Sequence, residues 1–508
     1  MLLYRPTWTC GRFNQQNKIA IFYNLIEGYA YSFESYSAEV IGVILRVSKG
    51  SSFSVEDISD KTNISIESLQ PFIEELIQLG LISHHPISDR MVQDYRVKIK
   101  GLNHLKFNTT IQKSKNSEYP IEMSDAELFY HEKTDCISSV MLELTYSCSA
   151  KCVHCYNIGA SRGNGEINMR GMTKIQGIER YKNIIDQFIE QGVAKVCLTG
   201  GDPFSYPFIW ELLDYLYNKD IAIDIYTNGI IPLGHENRIA AYFPRTVCVS
   251  LYSGDKSVHD CITRVDGSWE KTTEFIKHLV SLAVPIIIKC CIMRPNFKSY
   301  HTVKQIADEL GLPVQFDINV TDSVDGDKCV SSFLRLTPEM FELVLQDSEV
   351  ALSLSNNNIV PNKAIQSDIS PCMAGHRTFC VTPNGKLIPC CAFHLEIGDL
   401  AKDKLADILV DNEILKKLLA IKMSDMYECG KHDYCSMCCL CVGLNYSEHG
   451  NYLLAAENCC YLAKIRYGLL KHNGKNTVAS EVELRQRISQ IRNEISPLQK
   501  IGIKNKDK

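Results

Sequence analysis

Between residues 139 and 325 short apolar runs and amphipathic stretches alternate along the chain. Runs rich in β-branched residues at 140–146, 195–198, 221–226, 246–251, 286–292 and 314–319 read as strands. Between them apolar positions recur with helical spacing, as at 174–191, 268–283 and 299–310. Such alternation predicts an α/β fold, a parallel sheet with helices outside it. Six units are too few for an eight-fold barrel, so a partial, open (β/α)6 TIM-like barrel is expected. In such sheets ligands sit at the carboxyl ends of the strands.

The flanking regions have other patterns. Residues 18–23 and 29–33 alternate as a small hairpin, and helical periods follow at 38–47, 54–61 and 65–79. Ser54 reads as a cap, with Glu56 and Asp57 in the first turn. Gly80-Leu-Ile-Ser83 then starts a short wing, so residues 1–100 predict a winged helix. Residues 101–138 are polar and irregular, which suits a linker. A connecting segment (326–370), a cysteine-rich domain (371–472) and a charged, helix-prone tail (473–508) complete the division.

Composition narrows the classes. The chain has 508 residues, 45% hydrophobic and 22% charged, which suits several buried cores. A net charge of −5 gives no general pull toward nucleic acid or anionic membrane. The first residues lack an apolar signal core, and no apolar run reaches the roughly 18 residues of a membrane span. A cytoplasmic location is expected, and there 22 cysteines are unusual, because thiols stay reduced. They also bunch around 150, between 372 and 391, and between 429 and 460. Bunching points to metal ligation.

The first bunch follows the first predicted strand. Cys148, Cys152 and Cys155, with three and two residues between them, can converge on one iron–sulfide cube. Such cubes normally take four cysteines, so three leave one iron open for an outside ligand. A zinc knuckle, completed locally by His154, is the other reading. Zinc knuckles usually set a second ligand pair about 12–20 residues on, whereas the next cysteine is Cys197, inside a predicted strand. Later strands end in Gly200-Gly201-Asp202-Pro203, in Tyr226-Thr-Asn228-Gly229 and in Ser250-Leu-Tyr-Ser253. The two glycines permit close backbone approach to a ligand.

These residues resemble the radical S-adenosylmethionine (SAM) superfamily. Its cluster motif matches Cys148, Cys152 and Cys155, followed by the usual aromatic, Tyr156. Its Gly-Gly-Glu-Pro element appears as Gly200, Gly201, Asp202 and Pro203, with Asp for Glu. The resemblance implies that this element contacts the methionyl amino group, largely through backbone. It also implies that Asn228 and Ser250 hold ribose and carboxylate, with Lys289 a further carboxylate candidate. The implied chemistry is SAM bound to the open iron of a [4Fe-4S] cluster, reductive cleavage to a 5′-deoxyadenosyl radical, and hydrogen abstraction from an unreactive C–H. The cofactor performs the hard step and the protein orients it.

In the C-terminal third, Cys372 precedes an apparent hairpin with Asn384-Gly385 at its turn and Cys390 at its end. Cys429, Cys435, Cys438, Cys439, Cys441, Cys459 and Cys460 follow. This resembles the SPASM extension of peptide-modifying radical SAM enzymes and implies two auxiliary [4Fe-4S] clusters. The family's second ligand position falls on His432, so Cys435 stands in for it; Cys391, Cys439 and Cys460 read as spare thiols. A structural zinc site is the alternative. Sulfatase-maturating members place an Asp directly after the hairpin cysteine; here Cys391 stands there, which disfavours that reaction. His394 reads as a solvated turn histidine.

The third helix of the N-terminal unit has no Lys or Arg and three Glu, a poor reader of DNA. The unit resembles instead the RiPP recognition element, which captures the leader of a ribosomally made precursor peptide along a strand edge. A purely structural cap is the alternative. Together the resemblances imply a radical SAM peptide maturase that forms a Cys-derived thioether. Carbon–carbon linkage, epimerisation or another peptide oxidation comes second, and an iron–sulfur winged-helix regulator is more remote. The expected partners are a precursor peptide and a flavodoxin- or ferredoxin-type electron donor, with no nucleic acid and no membrane. No residue stands out as general base.

Overall fold

The computed structural model describes residues 1–98, 124–157, 174–232, 234–324, 329–347, 350, 368, 370–427, 429, 431–438 and 440–473. At the amino end, β1 (Leu2–Tyr4) pairs with β5 (Ser52–Ser54), and β2 (Thr9–Asn14), β3 (Ile19–Asn24) and β4 (Tyr29–Glu34) form an antiparallel sheet in that order. Helices α1 (Ser35–Leu45), α2 (Val55–Thr62) and α3 (Ile66–Gln78) cover one face of it, where Ala20 and Phe22 meet Ile41, Ile44, Ile73 and Leu76. α2 opens on a reciprocal cap: Asp57 N–H donates to the Ser54 hydroxyl, and the Asp57 carboxylate accepts from Ser54 N–H.

The expected hairpin and three helices are present. The expected wing is different: Tyr4 and Ser83 exchange backbone hydrogen bonds of 2.8 and 2.9 Å, so 80–83 closes on β1. The predicted linker also needs correction. α4 (Asp125–Thr134) starts at a Ser124 capping box and buries Glu127, Tyr130 and His131 against the second face of β3. Few of its buried side chains are apolar, so hydrophobic periodicity gave no signal. Residues 99–123 of that segment, and the predicted tail beyond Asn473, lie outside the described residues.

The barrel follows the sequence pattern. β6 (Ser139–Glu143), β7 (Lys195–Thr199), β8 (Ala222–Thr227), β9 (Thr246–Ser250), β10 (Ile286–Cys291) and β11 (Val314–Asp317) are parallel and adjacent in chain order. Between them run α5 (Lys174–Glu190), α6 (Ile209–Asn218), α7 (His235–Ala241), α8 (Lys256–Thr263), α9 (Ser268–Ser281) and α10 (His301–Leu310). Leu142, Leu198, Ile225, Val249 and Ile288 join the core under these helices. Their neighbours of opposite parity, including Glu143, Thr199, Tyr226, Ser250 and Lys289, face the barrel interior.

The sheet is wider than six strands. β12 (Thr378–Val381) pairs parallel to β6, and β13 (Lys386–Ile388) and β14 (Gly398–Asp399) extend it to nine. The expected hairpin is thus part of the barrel sheet, and Gly385 at its turn takes φ +82°.

The N-terminal unit lies across the amino ends of the barrel strands. Trp8, Ile21 and Tyr23 share a core with Ala194, Ala222 and Phe243. Arg5, 1% exposed, pairs with Asp220 at 2.5 Å, and Lys49 reaches the same carboxylate at 3.4 Å. Arg12 donates to the carbonyls of Val193 and Lys219 at 3.2 and 2.7 Å. Glu127 accepts from the Tyr23 hydroxyl at 3.0 Å and pairs with Lys195 at 3.2 Å. Burial opposes its charge, yet Lys195 and Arg245 hold the carboxyl down at about 2. This end of the barrel is closed by ion pairs and core, away from the strand ends that carry the cysteines.

Candidate functional site

Past β6 the chain runs straight into the three-cysteine loop, and the glycine pair holds that run in place. Gly200 takes φ +126°, and a Cβ there would lie 2.6 Å from the Thr145 carbonyl oxygen. A Cβ on Gly201 would lie 2.3 Å from that of Ser147. Gly201 N–H donates to Thr145 at 2.5 Å and Asp202 N–H to Ser147 at 3.1 Å. The close approach read from the glycines is therefore, in this structure, to the protein's own cysteine loop.

Asp202, 1% exposed, ties two strand ends together. Its carboxylate accepts from Phe204 N–H at 3.0 Å, from the Thr227 hydroxyl at 2.8 Å and from Asn228 N–H at 2.9 Å. Burial pushes the carboxyl up to about 6 against these bonds. Pro203 is buried and opens the single turn that follows.

The thiols have donors aimed at them. Cys148 Sγ accepts from Ala150 N–H at 3.4 Å and from Asn228 Nδ2 at 3.3 Å. Asn228 also donates to Ser149 Oγ at 3.1 Å. The Tyr252 hydroxyl is hydrogen-bonded to Cys152 and to Ser250. Behind it Tyr252 stacks on His259 with 5.6 Å between rings, and His154 stands edge-on at 4.8 Å. Burial, then Asp202, pushes the Cys148 thiol up to about 11; Cys152 is raised by burial and by Cys155 and Cys148. Three thiols that repel one another as anions, Cys148 exposed and Cys152 and Cys155 half-buried, with N–H and O–H groups directed at sulfur, match the needs of an iron–sulfide cube, whose cationic irons deprotonate their ligands. Among the described residues no three His, Cys, Asp or Glu side chains close on a single-ion position. The structure thus puts His154 against Tyr252.

The remaining predicted residues share the same strand ends. Lys289 is the register neighbour of Ser250, hydrogen-bonds Gln315 and sits over the Tyr226 ring at 5.2 Å. Tyr156 donates to Glu143 at 2.8 Å, and its ring meets His394 at 5.8 Å. His394 is half-buried, not solvated. Glu143 was missed. It is fully buried, among the described residues its Oε2 has no hydrogen-bond partner, and burial pushes its carboxyl up to about 7 against the bond from Tyr156. Its signal in the sequence was an acid inside an otherwise apolar strand. Tyr252 was missed because an aromatic after a strand usually reads as core.

The later cysteines form a first group of Cys372, Cys390 and Cys441. Burial raises the Cys390 thiol, and Cys391, Cys441 and Cys372 add to the rise electrostatically, while backbone N–H groups of Ala374 and Leu444 donate to Cys372 and Cys441 at 3.4 Å. A second region holds Cys435, on the turn Asp433–Met437, and Cys438, whose thiol reaches the Cys459 carbonyl at 3.8 Å. Cys429 is half-buried, and His432 stacks on Tyr434 at 4.9 Å. These thiol sets suit iron–sulfur clusters by donor type.

Comparison with known proteins agrees with this geometry. Residues 142–310 match the Radical SAM superfamily, and residues 372–441 match SPASM, an iron-sulfur cluster-binding domain. The chain is similar to the antilisterial bacteriocin subtilosin biosynthesis protein AlbA of Bacillus subtilis, 24% identical over 63% of this chain and 70% of that protein. It is also similar to the AdoMet-dependent heme synthase of Nitratidesulfovibrio vulgaris, 22% identical over 63% of this chain and 91% of the synthase. In fold it resembles the crystal structure of Streptococcus suis SuiB bound to precursor peptide SuiA, with TM-score 0.52, 14% identity, 90% of this chain covered and 99% of that one. The radical SAM domain implies a [4Fe-4S] cluster and SAM, and the SPASM domain implies further iron–sulfur clusters. Residues 142–310 thus form a radical SAM domain and residues 372–441 a SPASM domain, and the chain is an enzyme.

Proposed function

We propose that the enzyme matures a ribosomally synthesised peptide, forming a cross-link from a substrate Cys sulfur to carbon. The observation that carries this reading is the joining of three units in one chain: an N-terminal strand-and-helix unit, a radical SAM barrel and a SPASM domain. The relatives of known role support it, since AlbA is a subtilosin biosynthesis protein and SuiB was crystallised with a precursor peptide. The sequence likenesses to AlbA and to the heme synthase each span 63% of this chain, and the fold likeness to SuiB extends over 90%.

In this reading Cys148, Cys152 and Cys155 hold the radical SAM cluster, and Gly200, Gly201, Asp202, Pro203, Asn228, Ser250, Lys289 and Tyr156 hold SAM. Bound there, cluster and SAM would supply a 5′-deoxyadenosyl radical that takes one hydrogen atom from the substrate carbon; as sulfur bonds to that carbon the thiol proton would pass to solvent and the remaining electron to an auxiliary iron–sulfur cluster. The chain's own residues do the rest. Asp202 fixes the glycine pair and Asn228, Asn228 orients Cys148, and Tyr252 orients Cys152. Cys372, Cys390 and Cys441 hold one auxiliary cluster, and Cys429, Cys435, Cys438 and Cys459 the other. The N-terminal unit acts as a winged-helix leader-binding module, and α3, with three Glu and no basic residue, argues against DNA. A flavodoxin- or ferredoxin-type donor supplies electrons in the cytoplasm. Among the described residues no helix is long and apolar enough to cross a membrane.

The test is anaerobic reconstitution with reductant and SAM, an assay of 5′-deoxyadenosine, and Cys148→Ala, Cys152→Ala and Cys155→Ala in parallel. Cysteine-dependent product supports the radical reaction, and failure to assemble any cluster sinks it. Mass loss from a Cys-containing peptide encoded next to the enzyme tests the thioether.

A further inference from the structure

Ser250 is the last residue of β9, and Tyr252 follows at the spacing that puts two side chains on one side of an extended run. Tyr252 is 8% exposed and is gripped from several directions. Its ring stacks on His259 of α8 and takes the His154 ring edge-on, and its backbone N–H donates to His259 Nδ1 at 3.2 Å. Its carbonyl accepts at 2.8 Å from Nδ2 of Asn296, which is fully buried. The same ring packs in one apolar cluster with Val153, Ile262, Met293 and Cys152. A ring held this way carries its hydroxyl to a set point, and that point lies between Cys152 and Ser250.

Counting donors and acceptors gives the direction of the two bonds. A cysteine that ligates metal does so as thiolate, and a thiolate has no proton to give. The Tyr252 O–H therefore donates to the Cys152 sulfur. A phenol has one proton, so the Ser250 hydroxyl donates in turn to the Tyr252 oxygen. Cys148 and Cys155 take their bonds from amides instead, from Ala150 N–H and Asn228 Nδ2 and from Asn157 N–H. At Cys152 the donor is a hydroxyl that a second hydroxyl polarises, and such chains strengthen each bond.

We infer that Tyr252 is a positioning residue that sets the reduction potential of the radical SAM cluster, through an O–H donated to the Cys152 thiolate and held in line by Ser250. The inference rests on the reading of Cys148, Cys152 and Cys155 as ligands of that cluster, and it adds what decides how readily the cluster takes an electron. A hydrogen bond to ligand sulfur favours the form with more negative charge, so the reduced state gains more from it than the oxidised one. Removing the hydroxyl lowers the potential.

The test is Tyr252→Phe in the full chain, reconstituted anaerobically without SAM and titrated against redox mediators. Electron paramagnetic resonance follows the reduced signal that Cys148→Ala abolishes. Phe keeps the ring contacts to His259 and His154. At a fixed applied potential the ratio of reduced to oxidised cluster is expected to fall about 10-fold, a shift of about 59 mV for one electron. Ser250→Ala should give a fall of about 2-fold in the same direction, and the double variant no more than Tyr252→Phe alone. Iron content should stay at the parent value in all three. An unchanged ratio in Tyr252→Phe overturns the inference. So does a loss of iron there, which would make the hydroxyl part of what builds the site and not of what tunes it. A Ser250→Ala effect that persists in the Tyr252→Phe background overturns the part given to Ser250. If no signal depends on Cys148, the cluster reading itself has failed, so the two failures stay distinct.

Discussion

Replacing Gly201 by Ala adds one methyl group at the point where the glycine loop rests on the cysteine loop. Its Cβ would stand 2.3 Å from the Ser147 carbonyl oxygen and 2.6 Å from that of Tyr146, against a floor of 3.0 Å for real Cβ contacts. Both neighbours are backbone, so no rotamer change relieves the overlap. From 3.0 minus 2.3, the run 145–147 must retreat by about 0.7 Å. That movement weakens the bonds from Gly201 N–H to Thr145 and from Asp202 N–H to Ser147, which together contribute about 2 kcal/mol. Cys148 is the next residue, and its sulfur sits 3.3 Å from Asn228 Nδ2, so it cannot stay in register with Cys152 and Cys155. The variant is expected to keep its fold and its auxiliary clusters but lose about four irons per chain. Formation of 5′-deoxyadenosine should fall by about 100-fold, the usual cost of a misplacement near 1 Å. Iron and sulfide analysis with an anaerobic SAM-cleavage assay measures both. Gly468→Ala is the control, because nothing lies within 4 Å of where its added methyl would stand and helix propensity favours Ala by up to about 1 kcal/mol. Full iron content and full SAM cleavage in Gly201→Ala would refute the argument that the glycine pair exists to seat the cysteine loop.

Other outcomes follow from named contacts. Asp220→Ala leaves Arg5 and Lys49 buried without their carboxylate, so the chain should lose about 3–5 kcal/mol in urea denaturation; a loss below about 1 kcal/mol would mean the pair is not what fastens the N-terminal unit. Glu143 has a folded value near 7 against an ordinary 4.5, so burial favours its protonated form. Its contribution is full below about 4.5 and is lost as pH rises through about 7, a change on the order of 3 kcal/mol. Urea midpoints at two pH values should therefore differ more in the parent than in Glu143→Gln, and parallel slopes would count against it. Asn228→Ala removes the amide donor to Cys148 without touching a ligand, and it should shift the midpoint potential of the radical SAM cluster while leaving the iron content unchanged; an unshifted signal in redox titration would deny the contact a role. Cys441→Ala and Cys459→Ala should each cost the iron of one auxiliary cluster, and the double variant should cost both; a double variant no worse than either single one would place both cysteines on the same cluster.

The barrel was legible because each of its strands is a short apolar run flanked by an amphipathic helix, and buried parallel strands leave that mark in any sequence. The cysteine loop was legible because the spacing of its cysteines is local. What escaped was non-local or polar. β12 sits beside β6 although more than 230 residues separate them, and no periodicity announces which strand a hairpin will join. α4 was hidden because it buries Glu127 and His131 instead of leucines, and those residues make sense only beside Lys195 and Tyr23. The glycine pair was read correctly as a site of close approach, but its observed neighbour is the chain itself, since sequence gives the permission for contact and not the partner. Asn228 likewise stands where a polar strand-end residue was expected, with its amide turned toward the Cys148 sulfur.

The pairing of β6 with β12 has a consequence for how the two cysteine regions are held. Leu142 and Val381 are register partners in adjacent parallel strands. The first strand runs on to Cys148 and the second turns through Gly385 to reach Cys390, so both cysteine regions grow from one sheet. Their separation is therefore fixed by strand spacing and backbone hydrogen bonds, which are stiff, and not by side-chain packing between two domains, which is soft. Tyr156, one residue past Cys155, meets His394, four residues past Cys390, and closes the same gap with an aromatic contact at 5.8 Å. A radical enzyme needs that rigidity, since a reactive intermediate must meet its target before it meets water. The buried ion pairs at the opposite end add to that stiffness by fastening the N-terminal unit across the amino ends of the strands, away from the cysteines.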